Sequence, residues 1–174
     1  AAELEYIVTK AERNTFVCDL VGHLSGNTLV LFQFVEKHGK ILYDIIHDKY
    51  KDRKVFFVFG GVATDIREEI REIVENEKDA VIVASYGTFS TGINIRNINN
   101  IVFASPSKSK IRVLQSLGRG LRQQGGDKTL RLYDISDDLS LDSKLNFTLR
   151  HFKERLNIYD DQKFDYEIKR INLK

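Results

Sequence analysis

The residue types best suited to chemistry lie in one stretch, Gln115 to Arg122. On a helix, Gln115, Arg119 and Arg122 are spaced i, i+4 and i+7, so their side chains project from one face. Two guanidinium groups beside an amide can bind phosphate oxygens in a bidentate manner. Gly118 and Gly120 each cost a helix about 1 kcal/mol relative to alanine, which indicates a close approach to the backbone. The stretch predicts a phosphate-binding face. An amphipathic surface helix with incidental arginines is the alternative.

Two further loops, residues 84–94 and 105–110, each follow a predicted buried strand. Open α/β sheets place their ligand sites at the carboxyl ends of strands. Backbone amides and the hydroxyls of the first loop could hold phosphate or sugar oxygens; these hydroxyls belong to Ser85, Thr88, Ser90 and Thr91. The second loop offers Lys108 and Lys110 to a phosphate backbone. The alternatives are a polar turn that caps the next helix and two solvated lysines.

Other kinds of site lack support in the sequence. The four histidines are far apart and show no paired spacing for a metal, and no metal site is predicted. Cys18 is the single cysteine, lies among apolar residues and is interpreted as a buried core thiol. The sequence contains neither the GxxxxGK[ST] phosphate cradle nor a pair of acids after a strand. Any nucleotide chemistry therefore needs a cradle from elsewhere.

The composition is that of a globular chain. Of 174 residues, 42% are hydrophobic and 30% are charged, and the net charge is only +2. Positive charge is nevertheless concentrated at residues 105–131, where seven Lys and Arg residues face one acid. No apolar run suits a membrane span or a signal peptide, and the single cysteine fits a reducing compartment, so we expect a cytoplasmic protein. The chain begins Ala-Ala and contains no methionine, from which we expect a piece of a longer protein.

Short apolar runs alternate with amphipathic stretches along the chain. Strands are predicted at residues 28–32, 54–59, 80–84, 100–104 and 130–135, and helices at 10–24, 37–47, 64–76, 110–123 and 141–157. This alternation predicts an open parallel α/β sheet with helices on both faces. Residues 164–173 alternate in polarity and predict an edge strand. We expect one domain, with residues 1–135 as its body and 136–174 as a C-terminal helix and strand appendage.

Residues 10–135 together resemble the second RecA-like domain of superfamily 2 helicases. The pattern QxxGRxxR matches motif VI of that family through Gln115, Gly118, Arg119 and Arg122. Residues 85–94 resemble motif V, and residues 29–33 with the following helix resemble motif IV. Within the family, the run from residue 84 to 123 is similar to phage helicases of recombination and repair. The sequence departs from the family at Tyr86, where many relatives carry an acid, and Gln115 lacks a neighbouring basic residue.

The resemblance implies a RecA-like lobe of an ATP-dependent helicase that unwinds DNA and RNA–DNA hybrids in branch migration, recombination, repair and R-loop removal. ATP and Mg²⁺ would be bound mainly by an N-terminal RecA-like lobe of the same protein, so this chain alone would hydrolyse no ATP. The implied partners are that lobe and branched or single-stranded DNA, with RNA–DNA hybrids in addition. No membrane partner is implied.

The resemblance also implies roles for particular residues. Arg119 and Arg122 would reach the phosphates of ATP, and Gln115 would help to hold the interface between the lobes. Gly92 and Asn94 would face the nucleotide. The residues implied to contact the nucleic-acid backbone are Ser85, Thr88, Lys108 and Lys110. Two alternatives stay open: a non-catalytic nucleic-acid-binding adaptor with the same fold, and a domain that binds a small molecule or nucleotide sugar through residues 84–94.

Overall fold

The computed structural model describes residues 2–90, 97–108, 110–114 and 130–173. Five parallel strands form one sheet in the order β2-β3-β1-β4-β5. The strands are β1 (Thr28–Phe32), β2 (Val55–Val58), β3 (Val81–Ser85), β4 (Asn100–Phe103) and β5 (Arg131–Asp134). Each lies within two residues of its predicted bounds. The predicted open parallel sheet is confirmed.

The central strand explains why the apolar runs are continuous. All five residues of β1 are buried, because β3 and β4 flank the strand within the sheet and helices cover both of its faces. Val30 pairs in register with Val83 and Val102. Leu29 and Leu31 point to one face of the sheet, whereas Val30 and Phe32 point to the other. Helices must therefore cover both faces.

The described helices supply that cover. They are α1 (Ala2–Thr9), α2 (Ala11–His23), a π-helical turn (Val35–Gly39) that leads into α3 (Lys40–Lys49), α4 (Thr64–Glu75), the short α5 (Tyr86–Ser90), and α6 (Phe147–Asp161). Residues 110–114 are helical as well. Helices α2 and α3 pack on one face of the sheet. Helix α4, the helical segment 110–114 and α6 pack on the other face. No helix among the described residues is long and apolar enough to span a membrane.

The C-terminal appendage differs from its prediction. Its helix begins at Phe147 and ends at Asp161, several residues later than expected. The predicted edge strand at residues 164–173 is wrong, because the described residues after α6 pair with no strand. Alternating polarity makes a strand only where one face can be buried. Here Phe164 packs against the core, but four other apolar side chains stay exposed: Tyr166, Ile168, Ile171 and Leu173.

Candidate functional site

The predicted contact residues that the structure describes lie at the carboxyl edge of the sheet. Ser85 is the last residue of β3, and Thr88 lies in α5, which follows directly. Lys108 lies in the loop after β4, and Lys110 lies in the helical segment 110–114. Parallel pairing brings the ends of these strands to one edge, as the sequence predicted.

The Ser85 and Thr88 side chains contact each other at the start of α5. Their hydroxyl oxygens are 2.6 Å apart, and the Thr88 backbone N–H donates to the Ser85 hydroxyl oxygen at 3.3 Å. That second bond is the helix N-cap contact that serine commonly provides. Thr88 is buried, whereas Ser85 is partly exposed. The structure thus supports the capping alternative for this pair, and Ser85 has the more accessible side chain.

Lys108 is exposed and lines a cleft of about 290 Å³. The cleft lies between α1, α6 and the loops that follow β1, β4 and β5, so its walls come from five parts of the chain. The Lys108 ammonium is accessible to an anion in this cleft. The exposure of Lys108 is therefore compatible with its predicted contact with a phosphate.

Lys110 lies in a different environment. Its side chain is 1% exposed, and its ammonium donates to the Asp134 carboxylate at 3.2 Å and to the Ile135 carbonyl at 3.3 Å. The ammonium also lies 5.6 Å from the centre of the Phe103 ring. Burial lowers the pKa of Lys110 to about 8, although the Asp134 charge opposes that change. This burial and pairing oppose the predicted contact of Lys110 with a nucleic-acid backbone, and we correct its role to a structural one.

Asp134 is the centre of a buried ionic cluster that the sequence did not reveal. Arg155 of α6 donates to both carboxylate oxygens, at 2.7 and 3.0 Å, and the Tyr159 hydroxyl donates at 2.6 Å. Burial alone would raise the pKa of Asp134, but the charges of Lys110 and Arg155 outweigh it and hold that pKa well below its ordinary range. The cluster joins β5, the helical segment 110–114 and α6. Its members are 21 to 25 residues from Asp134, and no short motif marks them.

A second buried network surrounds His38 in the π-helical turn. The His38 Nε2–H donates to Asn14 Oδ1 at 2.9 Å, and the Ser105 hydroxyl donates to His38 Nδ1. Burial, with the nearby charge of Arg13 as a smaller cause, lowers the pKa of His38 to about 3. The ring is therefore neutral at neutral pH. A serine, a histidine and an asparagine in contact suggest nucleophilic catalysis, but Ser105 and His38 are both 0% exposed and no substrate reaches them.

Arg13 extends this network to the cleft. Its Nη1 donates to the Ala104 carbonyl at 2.6 Å, and its Nε donates to the Asp137 carboxylate at 2.7 Å. Asp137 lines the cleft, and Arg13 itself is 1% exposed. A buried arginine thus fixes the loops after β4 and β5 against α2.

The residues predicted to contact ATP or to hold the interface between the lobes lie outside the described residues. They are Gly92, Asn94, Gln115, Arg119 and Arg122. The described structure reaches Val113 and Leu114, which are buried in the core beneath the sheet. Among the described residues, no group of three or more His, Cys, Asp or Glu could hold a metal ion.

The sequence matches the helicase conserved C-terminal domain family over residues 12–124. It is 37% identical over 184 aligned positions to the ATP-dependent DNA helicase uvsW of Enterobacteria phage T4. That match covers 98% of this chain and 36% of the phage protein, so the chain spans about a third of its relative. A putative ATP-dependent RNA helicase of Methanocaldococcus jannaschii is 35% identical over 66 residues, covering 38% of this chain and 8% of that protein.

Solved structures show the same fold. The crystal structure of T4 UvsW superimposes with a TM-score of 0.81 at 37% identity, over 99% of this chain and 37% of that chain. The C-terminal domain of the DEAD-box protein Dbp5 superimposes with a TM-score of 0.59 at 14% identity, over 88% of this chain and 81% of that chain. The second likeness supports the fold alone.

Proposed function

Because this chain belongs to the helicase conserved C-terminal domain family, we propose that it is the second motor lobe of an ATP-dependent DNA helicase. The observation that carries the proposal is the 37% identity to the T4 helicase over 98% of this chain. The RecA-like sheet agrees with it, since the T4 structure superimposes over nearly the whole chain. The proposed motor comprises this lobe and an N-terminal RecA-like lobe of the same protein.

In the proposed reaction this lobe supplies positive charge to ATP. Phosphoryl transfer is catalysed mainly by positioning and electrostatic stabilisation, and an arginine finger can contribute about 10³- to 10⁵-fold in rate. Arg119 and Arg122 are the proposed fingers. Gln115 would hold the interface between the lobes, while Gly92 and Asn94 would face the nucleotide.

We assign ATP and Mg²⁺ mainly to the N-terminal lobe. Asp134 and Asp137 at the carboxyl edge do not suit a cation site, because Asp134 binds Lys110 and Arg155 and Asp137 binds Arg13. When bound, Mg²⁺ neutralises charge on the transferring phosphate. To the ATP site, this chain would contribute its two arginines, the Gln115 amide and the backbone at Gly92 and Asn94.

Nucleic acid is the proposed substrate of the motor. Lys108 would contact the backbone phosphates, and Ser85 would contribute its partly exposed hydroxyl. ATP would hold the two lobes together and hydrolysis would release them, which shifts the population between closed and open states. We extend the proposal to branched and single-stranded DNA and to RNA–DNA hybrids, in branch migration, recombination, repair and R-loop unwinding in the cytoplasm.

The test compares the complete protein with the 174-residue chain. With saturating single-stranded DNA, the complete protein should hydrolyse ATP and this chain alone should not. DNA-stimulated turnover by the isolated chain above a buffer control would contradict the half-motor proposal. A complete protein that binds DNA but hydrolyses no ATP would support the non-catalytic adaptor instead.

A further inference from the structure

The cleft at the carboxyl edge carries aromatic surface from two sides. Phe34, from the loop after β1, is 36% exposed, and Phe147, at the start of α6, is 43% exposed. Water-exposed phenylalanine rings in a cleft of this size favour contact with a flat apolar partner. Phe147 also lies beyond residues 12–124, the part of the chain that matches the helicase family.

The Phe147 ring packs against two neighbouring side chains of α6. The His151 ring packs edge-to-face against it with 4.3 Å between centroids, and the Arg150 guanidinium lies 5.8 Å from the ring centre. Residues three and four positions apart on a helix are neighbours on its surface, which explains this grouping. Phe147 is nevertheless 43% exposed, so α6 presents part of an aromatic ring beside the cleft.

The charge around the cleft is predominantly positive, although the Glu3 carboxylate accepts hydrogen bonds from Asn146 and Thr148 at its edge. Beneath it, the carboxylates of Asp134 and Asp137 bind three buried cations: Lys110, Arg155 and Arg13. Lys108 adds an exposed ammonium in the cleft, and Arg150 adds an exposed guanidinium beside it. Among the described lining residues, Asp137 is the single acid and its charge is opposed by Arg13. Such a surface attracts a polyanion.

We propose that this cleft binds single-stranded nucleic acid, with a base stacked on Phe147 and the adjoining phosphate held by Lys108. A positive groove lined with aromatic side chains is the usual design of single-strand sites, because every base offers a flat face to stack. Duplex bases are already stacked on each other, so the exposed ring selects unpaired bases. The proposal rests on the proposed helicase function and adds α6 to the surface that contacts the substrate.

The test measures binding of fluorescein-labelled dT20 to the complete protein by anisotropy over a range of salt concentrations. Phe147→Ala should weaken binding by about 5- to 150-fold with an unchanged salt slope, because it removes stacking but no charge. Phe147→Trp should retain affinity. Lys108→Ala should flatten the log–log salt slope by about 0.7, the value for one lost phosphate contact on a single strand.

Two matched variants serve as controls. Tyr6→Ala removes an aromatic ring that is 52% exposed on α1, and Lys153→Ala removes an exposed charge from α6; neither residue lines the cleft. Both should leave dT20 affinity unchanged. Because Phe147 is 43% exposed, its truncation should also leave the melting temperature nearly unchanged.

The outcomes are distinct. Tight dT20 binding by the wild type with no effect of Phe147→Ala would overturn this proposal and leave the proposed helicase function intact. Absence of any DNA binding and DNA-stimulated ATP hydrolysis in the wild type would refute the helicase function itself. A large fall in melting temperature for Phe147→Ala, with dT20 affinity retained, would show that another part of the protein covers the ring and would also overturn the proposal.

Discussion

Lowering the pH should destabilise this chain through His38. The folded state keeps this ring neutral, with a pKa of about 3, because it is buried near Arg13, whereas an unfolded chain protonates histidine near pH 6.5. Below pH 6.5 the unfolded state therefore takes up a proton that the folded state refuses. The stabilising contribution is complete above pH 6.5 and is lost as the pH falls toward 3.

The structure gives a magnitude for this loss. One pKa unit corresponds to about 1.4 kcal/mol, so lowering the pH from 7.5 to 5 should remove about 2 kcal/mol of unfolding free energy through this one residue. A loss of that size should lower the melting temperature by about 4–8 °C in a chain of this length. Asp134 affects the unfolding free energy only at lower pH. Its pKa is depressed in the folded state, so its contribution is lost only as the pH falls below the ordinary pKa range of aspartate.

The assay is urea unfolding of the 174-residue chain at several values between pH 7.5 and 5, for the wild type and His38→Gln. The glutamine amide can still donate to Asn14 but cannot be protonated. The variant should be less stable at pH 7.5. Between pH 7.5 and 5 its unfolding free energy should fall by about 2 kcal/mol less than that of the wild type. Parallel pH profiles for the two proteins would refute the assignment of a neutral, buried His38.

Two further predictions concern stability and can be checked by urea unfolding at pH 7. Asp134→Asn should cost about 3–5 kcal/mol, because Lys110 and Arg155 would keep buried charges without a carboxylate. Glu77→Gln, which breaks a partly exposed pair with Lys54, should cost far less, and equal losses would contradict the cluster's role. Gly26→Ala should destabilise the chain by at least about 1 kcal/mol. The φ angle at this position is +99°, and the added methyl carbon would lie 2.7 Å from Asn99 Oδ1. An unchanged unfolding free energy would refute the left-handed conformation.

The sequence predicted the sheet well because burial and periodicity are local properties. The strand β1 is apolar throughout since both of its faces are covered, and that pattern is visible without knowing its neighbours. The resemblance to superfamily 2 helicases is confirmed by the family match and by the T4 helicase. Its motif VI arginines lie outside the described residues and stay predictions.

Pairing between distant segments was not predictable in the same way. Lys110 follows a loop with another lysine and has the sequence context of a phosphate contact, yet its ammonium pairs with Asp134, 24 residues away. Asp134 in turn binds Arg155 and Tyr159 of α6, whose positions become relevant only after the helix packs on the sheet. The residues after α6 show the converse error, since their alternation indicates a strand, whereas the described residues among them pair with no described strand.

We propose that this chain supplies the arginines that act on ATP in a two-lobed motor. The most direct measurement is steady-state ATP hydrolysis by the complete protein with saturating DNA, for Arg119→Ala and Arg122→Ala, with Arg170→Ala in the C-terminal tail as the control. Each of the first two variants should lose about 10³-fold or more in turnover while nucleotide affinity and melting temperature change little, and the control should match the wild type. Lysine at either position should restore little of the ATP turnover, because a point charge does not reproduce the planar bidentate guanidinium group. Turnover near the wild-type rate in both alanine variants would contradict the claim.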